Sequence, residues 1–340
     1  MLRVPPFLVA AVLCVAASVS AQEAPPVAPV EAPPPFDAWL AEVRAEALTR
    51  GIRTEIIETA LGNLQPVDQI LERDRTQAEF VFDLDAYLKR RLTKPTLKTA
   101  ARLYAQHREL LQKIGETYSV QPQIIVAIWG LESNFGRFSG VRPTIATLAT
   151  LAYDPRRAPL FRGELFSALE IVNRGDIELE SLKGSWAGAL GQPQFMPSSY
   201  LQYAQDFDGD GRRDIWASQG DVFASIAYYL QQHGWTSGQL WGREVLVPAA
   251  VREQVDAVPR RPEGCRAERL MTIPMPLDDW KKLGVTTAAG KPLPNATVLA
   301  SLVPAGSRYF LVYRNYETLL DYNCAHSYAL SIALLSDRLK

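Results

Sequence analysis

Ile124-Ile125-Val126-Ala127-Ile128-Trp129-Gly130-Leu131-Glu132-Ser133-Asn134-Phe135-Gly136 is the stretch on which the reading of this chain turns. Its unbroken apolar run is opened by Pro122, with Ser119 or Gln121 near the cap. This predicts a helix buried on most sides. Glu132 is the first charge after the run, and Gly136 suits a helix stop. Burial and the negative end of the helix dipole both disfavour a carboxylate there, so Glu132 is expected to hold its proton near neutral pH. Cleavage of a glycosidic bond needs such an acid, because the leaving oxygen must receive a proton. A structural glutamate closing a loop fits the same local pattern.

Towards the C-terminus, residues 184–200 form a second dense segment. Gly184, Gly188 and Gly191 let backbone approach backbone or ligand closely. Gln194 can donate and accept, which suits sugar amides and hydroxyls. Phe195 and Tyr200 offer ring faces, and Ser198-Ser199 could equally cap a tight turn between helices.

The N-terminus reads as an export signal. Arg3 precedes an apolar run over residues 7–19, and Val19-Ser20-Ala21 supplies the small residues of a cleavage site. The run is shorter than the roughly 20 residues of a comfortable membrane span. Leu13 stands before Cys14 where a lipoprotein signal wants a small residue, so a lipid-anchored form is disfavoured. The periplasm is the expected location. The whole chain carries a net charge of −1, and removal of Arg3 makes it one unit more negative. That balance excludes nucleic acid as a partner, since phosphate binding wants a basic stripe, and leaves glycans open. Cys265 and Cys324 remain after cleavage, and sequence leaves a disulfide and two free thiols both open. The three histidines are scattered and there is no CxxC, which argues against zinc.

Residues 22–35 are rich in Pro, Ala and Val and read as an extended linker. Helical periodicity follows over 36–61, 68–92 and 96–117, and again around 161–174, 221–233 and 328–339. Short strands are expected at 245–251, 270–274 and 309–313. The fold class is therefore α+β and predominantly α-helical. The expected organisation is a helical subdomain over 36–120, a catalytic core over 121–240, and a mixed α/β part over 241–340 that completes the groove.

Residues 206–214 read Asp-Phe-Asp-Gly-Asp-Gly-Arg-Arg-Asp. Asp206, Asp208, Asp210 and Asp214 fall at positions 1, 3, 5 and 9 of an EF-hand loop, and Gly211 at position 6. Ala217 stands where the usual Glu would close the loop. Carboxylates packed so densely repel one another without a cation. A structural Ca²⁺ (or Na⁺) is expected, and no cofactor is expected for catalysis. A solvated acidic turn is the alternative.

Glu132-Ser133-x-Phe135-Gly136, followed by Gly188-Ala189-x-Gly191-x-x-Gln194-Phe195-Met196-Pro197-Ser198-Ser199, resembles the B-type lytic murein transglycosylases. Gln77-Ala78-Glu79-Phe80 with Tyr87-Leu88 is similar to that family's early helical signature. Tyr153-Asp154-Pro155-Arg156-Arg157 resembles its Pro-Arg-Arg segment, and Tyr322-Asn323 before Ser327-Tyr328-Ala329 its late Tyr-Asn motif. The resemblance implies a lysozyme-like core with helical and mixed subdomains around a glycan groove, and Glu132 as sole acid/base. It implies that Tyr87, Arg156, Arg157, Ser185, Gln194, Phe195, Tyr229, Tyr322 and Asn323 line the groove. It also implies a longer cation loop closed by Asp221, with Arg212 giving only its backbone carbonyl.

The implied reaction cleaves the MurNAc–GlcNAc bond of peptidoglycan without water and leaves a 1,6-anhydro ring. Peptidoglycan strands are then the partner of a monomeric enzyme that could sit beside the wall machinery. Glu164, Asp154 and Glu170 are candidates for a second carboxylate by position only. A hydrolytic muramidase on the same fold and a non-catalytic wall-binding scaffold are the rival readings.

Overall fold

A computed structural model describes residues 34–77 and 84–339. The expected signal peptide, nearly all of the Pro-rich stretch, and residues 78–80 of the early helical signature lie outside them.

Helices come first along the chain, and the long periodic stretches are broken. Residues 36–61 form Phe36–Thr49 and Thr54–Leu61, parted where Gly51 takes a φ of 83°. Asp68–Gln77 and Leu84–Arg91 follow. Residues 96–117 divide at His107, which ends Lys94–Gln106 and begins Arg108–Tyr118. Both halves turn an apolar face to one core, so the period runs through a break that it cannot reveal.

Pro122 opens helix Pro122–Ser133 in its first turn, where a missing N–H leaves no bond unmade. Ile124 to Leu131 and Ser133 are all buried. Each large apolar side chain buried this way contributes about 1.5–3 kcal/mol. Helices Lys94–Gln106, Arg108–Tyr118, Gln219–Gln232 and His326–Ser336 pack around it. Helix Thr144–Tyr153 pairs with Ala158–Asn173, and Pro197–Tyr203 rests on the latter.

The sheet lies in the last third. Its strands run in the order Met275–Pro276, Leu299–Ala305, Arg308–Val312, Gly242–Leu246, Thr286–Thr287, all antiparallel. Val245 opposes Tyr309, and Leu302 opposes Leu311. The strand expected at 245–251 is therefore Gly242–Leu246 followed by a 3₁₀ turn, Ala249–Val251. The strand expected at 270–274 is not formed; Thr272 makes only an isolated bridge to Arg260. Leu299–Ala305, the longest strand, went unread because Pro304 and small residues interrupt its pattern. A second hydrophobic core, including Val245, Leu277, Trp280, Leu302 and Leu311, fills this part. After Arg314–Tyr322 the closing helix His326–Ser336 leaves the sheet and returns to the Pro122–Ser133 helix.

Candidate active site

Three successive left-handed residues end the Glu132 helix: Asn134 at φ 51°, Phe135 at 59° and Gly136 at 77°. A phenylalanine rarely adopts this conformation, and packing holds it here. The Phe135 ring tucks under Gly130, where a Cβ would lie 2.4 Å from a ring carbon, and stands edge-on to Trp129 at 5.6 Å. The Ser133 hydroxyl donates to the Trp129 carbonyl at 2.8 Å and accepts the Gly136 N–H at 3.0 Å. This turn fixes the last turn of the helix and with it the Glu132 side chain.

Glu132 keeps a small opening to solvent, but its carboxyl sits deep. Burial pushes it up to about 7, while the Tyr328 hydroxyl and the Arg91 guanidinium pull the other way. The Tyr328 hydroxyl acts on the carboxyl but falls short of hydrogen-bond geometry, and it is buried without another partner. Burial and the closeness of Glu132 both hold the Tyr328 and Tyr322 phenols well above their ordinary range.

An aromatic cluster continues from this point. Tyr322 stacks near Tyr328 at 6.2 Å and meets Tyr229 at 4.7 Å. The Tyr322 hydroxyl donates to the Pro193 carbonyl at 2.7 Å, and the Tyr229 hydroxyl to the Asp321 carbonyl at 2.8 Å. His233 stacks on Tyr229 at 3.9 Å. Phe195 backs both tyrosines, at 5.6 and 6.0 Å. With 2% exposure for Phe195 and none for Tyr200, neither ring offers a face to a ligand, contrary to the sequence expectation. Both were read as ring faces because burial cannot be seen in a short glycine-rich segment.

The remaining expected groove residues vary in their freedom. Gln194 has a φ of 54°, and its amide donates to the Gly191 carbonyl of its own loop at 2.8 Å. The Ser185 hydroxyl accepts the Ala187 and Ala189 N–H groups. Arg156 is held by Asp154, and the Arg157 guanidinium lies over Phe161 at 5.7 Å. Tyr87 receives the Arg91 Nε–H at 3.3 Å, and it lies on the lip of a cavity of about 410 Å³ that includes Cys324 to Ser327. Asn323 is exposed. The adjacent Cys324 is joined to Cys265 in a disulfide, which decides the question that sequence left open and anchors the Asn323 loop.

The position-only acids are otherwise engaged. Glu164 accepts the Ser198 N–H and hydroxyl at 2.9 and 2.7 Å, capping helix Pro197–Tyr203. Asp154 pairs with Arg156, and Glu170 with Arg174. Among the described residues no carboxylate acts on Glu132. Sequence reading places Tyr328 only within the late Tyr-Asn motif and gives neither it nor Arg91 a role at Glu132. Arg91 lies four residues after Tyr87 on the same helix, a spacing that places both on one face. Nothing local to Tyr328 points to Glu132, because the two meet only through packing of distant helices.

In the acidic loop, Asp206, Asp208 and Asp210 bring carboxylate oxygens within 4.8 Å of one another. Asp206 also accepts the Gly209 and Gly211 N–H groups. Asp221 is fully buried, and the Asp208 and Asp206 carboxylates act on it. Its two oxygens accept the Phe207 and Asp214 N–H groups, each at 2.8 Å. Ser218 caps the following helix, Gln219–Gln232. The trio is a hard-oxygen donor set of the kind that suits calcium.

The fold is that of the lysozyme-like lytic transglycosylases, α+β and mainly helical. The chain belongs to the transglycosylase SLT domain family, whose model matches residues 35–337. It is 34% identical over 250 residues to the membrane-bound lytic murein transglycosylase B of Escherichia coli K12, an alignment covering 72% of this chain and 64% of that protein. The chain thus spans just under two thirds of the length of that curated relative. It is also similar to SltB3 of Pseudomonas aeruginosa solved with NAG-anhNAM-pentapeptide: 39% identity, 89% of this chain and 79% of the other, TM-score 0.82. Escherichia coli Slt35 in complex with calcium matches at 27% identity over 88% of this chain and 92% of that one, TM-score 0.73.

Proposed function

We propose that this chain is a lytic transglycosylase that cleaves the β-1,4 bond between N-acetylmuramic acid and N-acetylglucosamine in peptidoglycan. One observation carries the reading: the Glu132 carboxyl stands at the end of a buried helix, burial pushes it up to about 7, and among the described residues no second carboxylate acts on it. Two-carboxylate glycosidases need an acid and a separate base or nucleophile. Here protonated Glu132 donates to the glycosidic oxygen, and the bond from that oxygen to muramic C1 breaks. The resulting carboxylate takes the proton of the muramic C6 hydroxyl, whose oxygen closes on C1. The attack is intramolecular, so proximity supplies much of the rate. The glutamic acid is regenerated in its starting state.

The Tyr322 and Tyr229 faces, Tyr87, Gln194, Ser185, Asn323, Arg156 and Arg157 are proposed to line the glycan groove, with Phe195 behind the tyrosines. The ligand in the SltB3 complex supports this substrate class. Asp206, Asp208 and Asp210, with the Arg212 carbonyl, are proposed to hold a structural Ca²⁺, and Asp221 ties the loop together through the Phe207 and Asp214 N–H groups. Calcium in Slt35 supports that assignment. The export signal read over residues 1–21 supports a periplasmic site of action, and among the described residues no helix is long and apolar enough to cross a membrane.

Mass spectrometry of soluble products from purified peptidoglycan tests the reaction. Muropeptides one water lighter than their hydrolytic counterparts are expected. Products at the hydrated mass would make the protein a muramidase, and binding without any product would make it a scaffold.

A further inference from the structure

Gln192 takes no part in the reaction above, yet its side chain makes three hydrogen bonds between the Glu132 helix and the exit of the acidic loop. It is 4% exposed. Its Oε1 accepts the Trp129 indole N–H at 2.6 Å and the Gln219 amide at 3.4 Å, and its Nε2 donates to the Trp216 carbonyl at 2.7 Å. Its backbone N–H donates to the Ile215 carbonyl at 2.8 Å. Trp129 lies three residues before Glu132 on the same helix. Gly136, four residues after Glu132, approaches the same amide so closely that a Cβ there would meet Gln192 Oε1 at 2.6 Å.

The other side of this bracket is the exit of the acidic loop. The Asp214 carboxylate caps the Trp216 and Ala217 N–H groups at 2.9 and 2.8 Å, and Asp221 accepts the Asp214 N–H. A primary amide held this way has one allowed orientation. Flipping it would set its NH₂ against the indole N–H and its oxygen against the Trp216 carbonyl, leaving buried groups unpaired. The contacts therefore run without a gap from the loop, through Trp216 and Gln192, to Trp129 and the end of the helix that carries Glu132.

We infer that Gln192 is a positioning residue that couples cation occupancy of the acidic loop to the placement of Glu132. The inference rests on the proposed roles of Glu132 and of the cation loop. A bound cation fixes the loop and hence the Trp216 carbonyl; Gln192 passes that constraint to Trp129. Calcium then acts on turnover without touching substrate. Such coupling is a free energy between two sites, and removing the connecting group must abolish it.

The experiment measures kcat, KM and melting temperature for the wild-type protein and Gln192→Met, each in calcium and in chelator. Met keeps the length and loses every side-chain hydrogen bond. Chelation is expected to lower wild-type kcat about tenfold with KM within about twofold, a typical coupling size. Gln192→Met should start about tenfold lower and lose nothing further on chelation, while its melting temperature still falls. Trp129→Phe, which removes the indole donor at the other end of the bond together with part of a buried ring, should likewise lose nothing further in kcat on chelation and serves if the Met variant fails to fold. Equal fold-losses on chelation in wild type and variants would overturn the inference, as would a wild-type kcat indifferent to calcium while its melting temperature responds. If calcium leaves the wild-type melting temperature unchanged, the cation assignment itself fails. The tie to Glu132 is then judged on Gln192→Met alone: a fall in kcat at unchanged KM keeps it, and an unchanged kcat removes it.

Discussion

Glu132 and Asp221 are both carboxyl groups pushed up by burial, and the protein treats them in opposite ways. Asp221 is given two backbone N–H donors, which hold down its pKa and tie Phe207 and Asp214 into one loop. Among the described residues no backbone N–H is given to Glu132. Its neighbours are the Tyr328 hydroxyl, which lowers its pKa, and the Arg91 guanidinium on another helix. A buried carboxyl with full partners is a structural brace. One left without them is held as an acid at the cost of stability, which is a signature of a reactive group. The difference is in the partners and not in the depth.

The largest effect that would break this comparison is on turnover. Glu132→Gln should fold normally and lose about 10² to 10⁴ or more in kcat, because an amide cannot give up the proton. Retained turnover on purified peptidoglycan would place the acid elsewhere. Next comes Asp221→Asn, which sets an NH₂ against one of two buried N–H groups. Denaturant unfolding should show a loss of about 3 kcal/mol; a loss near zero would mean that the loop does not depend on this brace.

The two carboxyls also differ in their pH signs. The folded-state pKa of Glu132 lies above its ordinary 4.5, so folding binds that proton more tightly. The stability this confers is complete below about 4.5 and is lost as pH rises through about 7. Glu132→Gln should therefore match the wild type at low pH and exceed it by about 2–3 kcal/mol above pH 7. A gap that does not change with pH would show that the Glu132 pKa is not raised on folding. The smallest effect expected is that of Tyr328→Phe. The Tyr328 hydroxyl lowers the Glu132 pKa, so its loss should move the alkaline limb of the kcat profile upward and change kcat only severalfold. An unmoved limb would reduce Tyr328 to packing.

Sequence carried the Glu132 half of this comparison well and the Asp221 half less well. The apolar run and its proline start lie within one helix and the glycine stop just beyond it, so the acid and its burial could be read locally, while Tyr328 and Arg91, which act on it from other helices, could not. The loop trio was legible from spacing alone. What Asp221 does with its oxygens was not, because its donors come from positions 207 and 214 and depend on how the loop folds back. Helix Thr144–Tyr153 was missed because it is buried all round and shows no amphipathic period. Gln192 carries no local signal, because its bonds to Trp129 and Trp216 exist only once separate segments have packed. Interactions within one element were readable, whereas those that join elements were not.

The central claim is that one carboxyl, kept protonated near neutrality, performs both proton transfers. Its most direct test is an infrared titration of the Glu132 carboxyl, taken as the wild-type minus Glu132→Gln difference spectrum against pH. The protonated-carboxyl band should persist to neutral pH and disappear with a midpoint of about 7. A midpoint near the ordinary 4.5 would mean that Glu132 is already ionised when it meets its substrate, and the account of the site would be wrong.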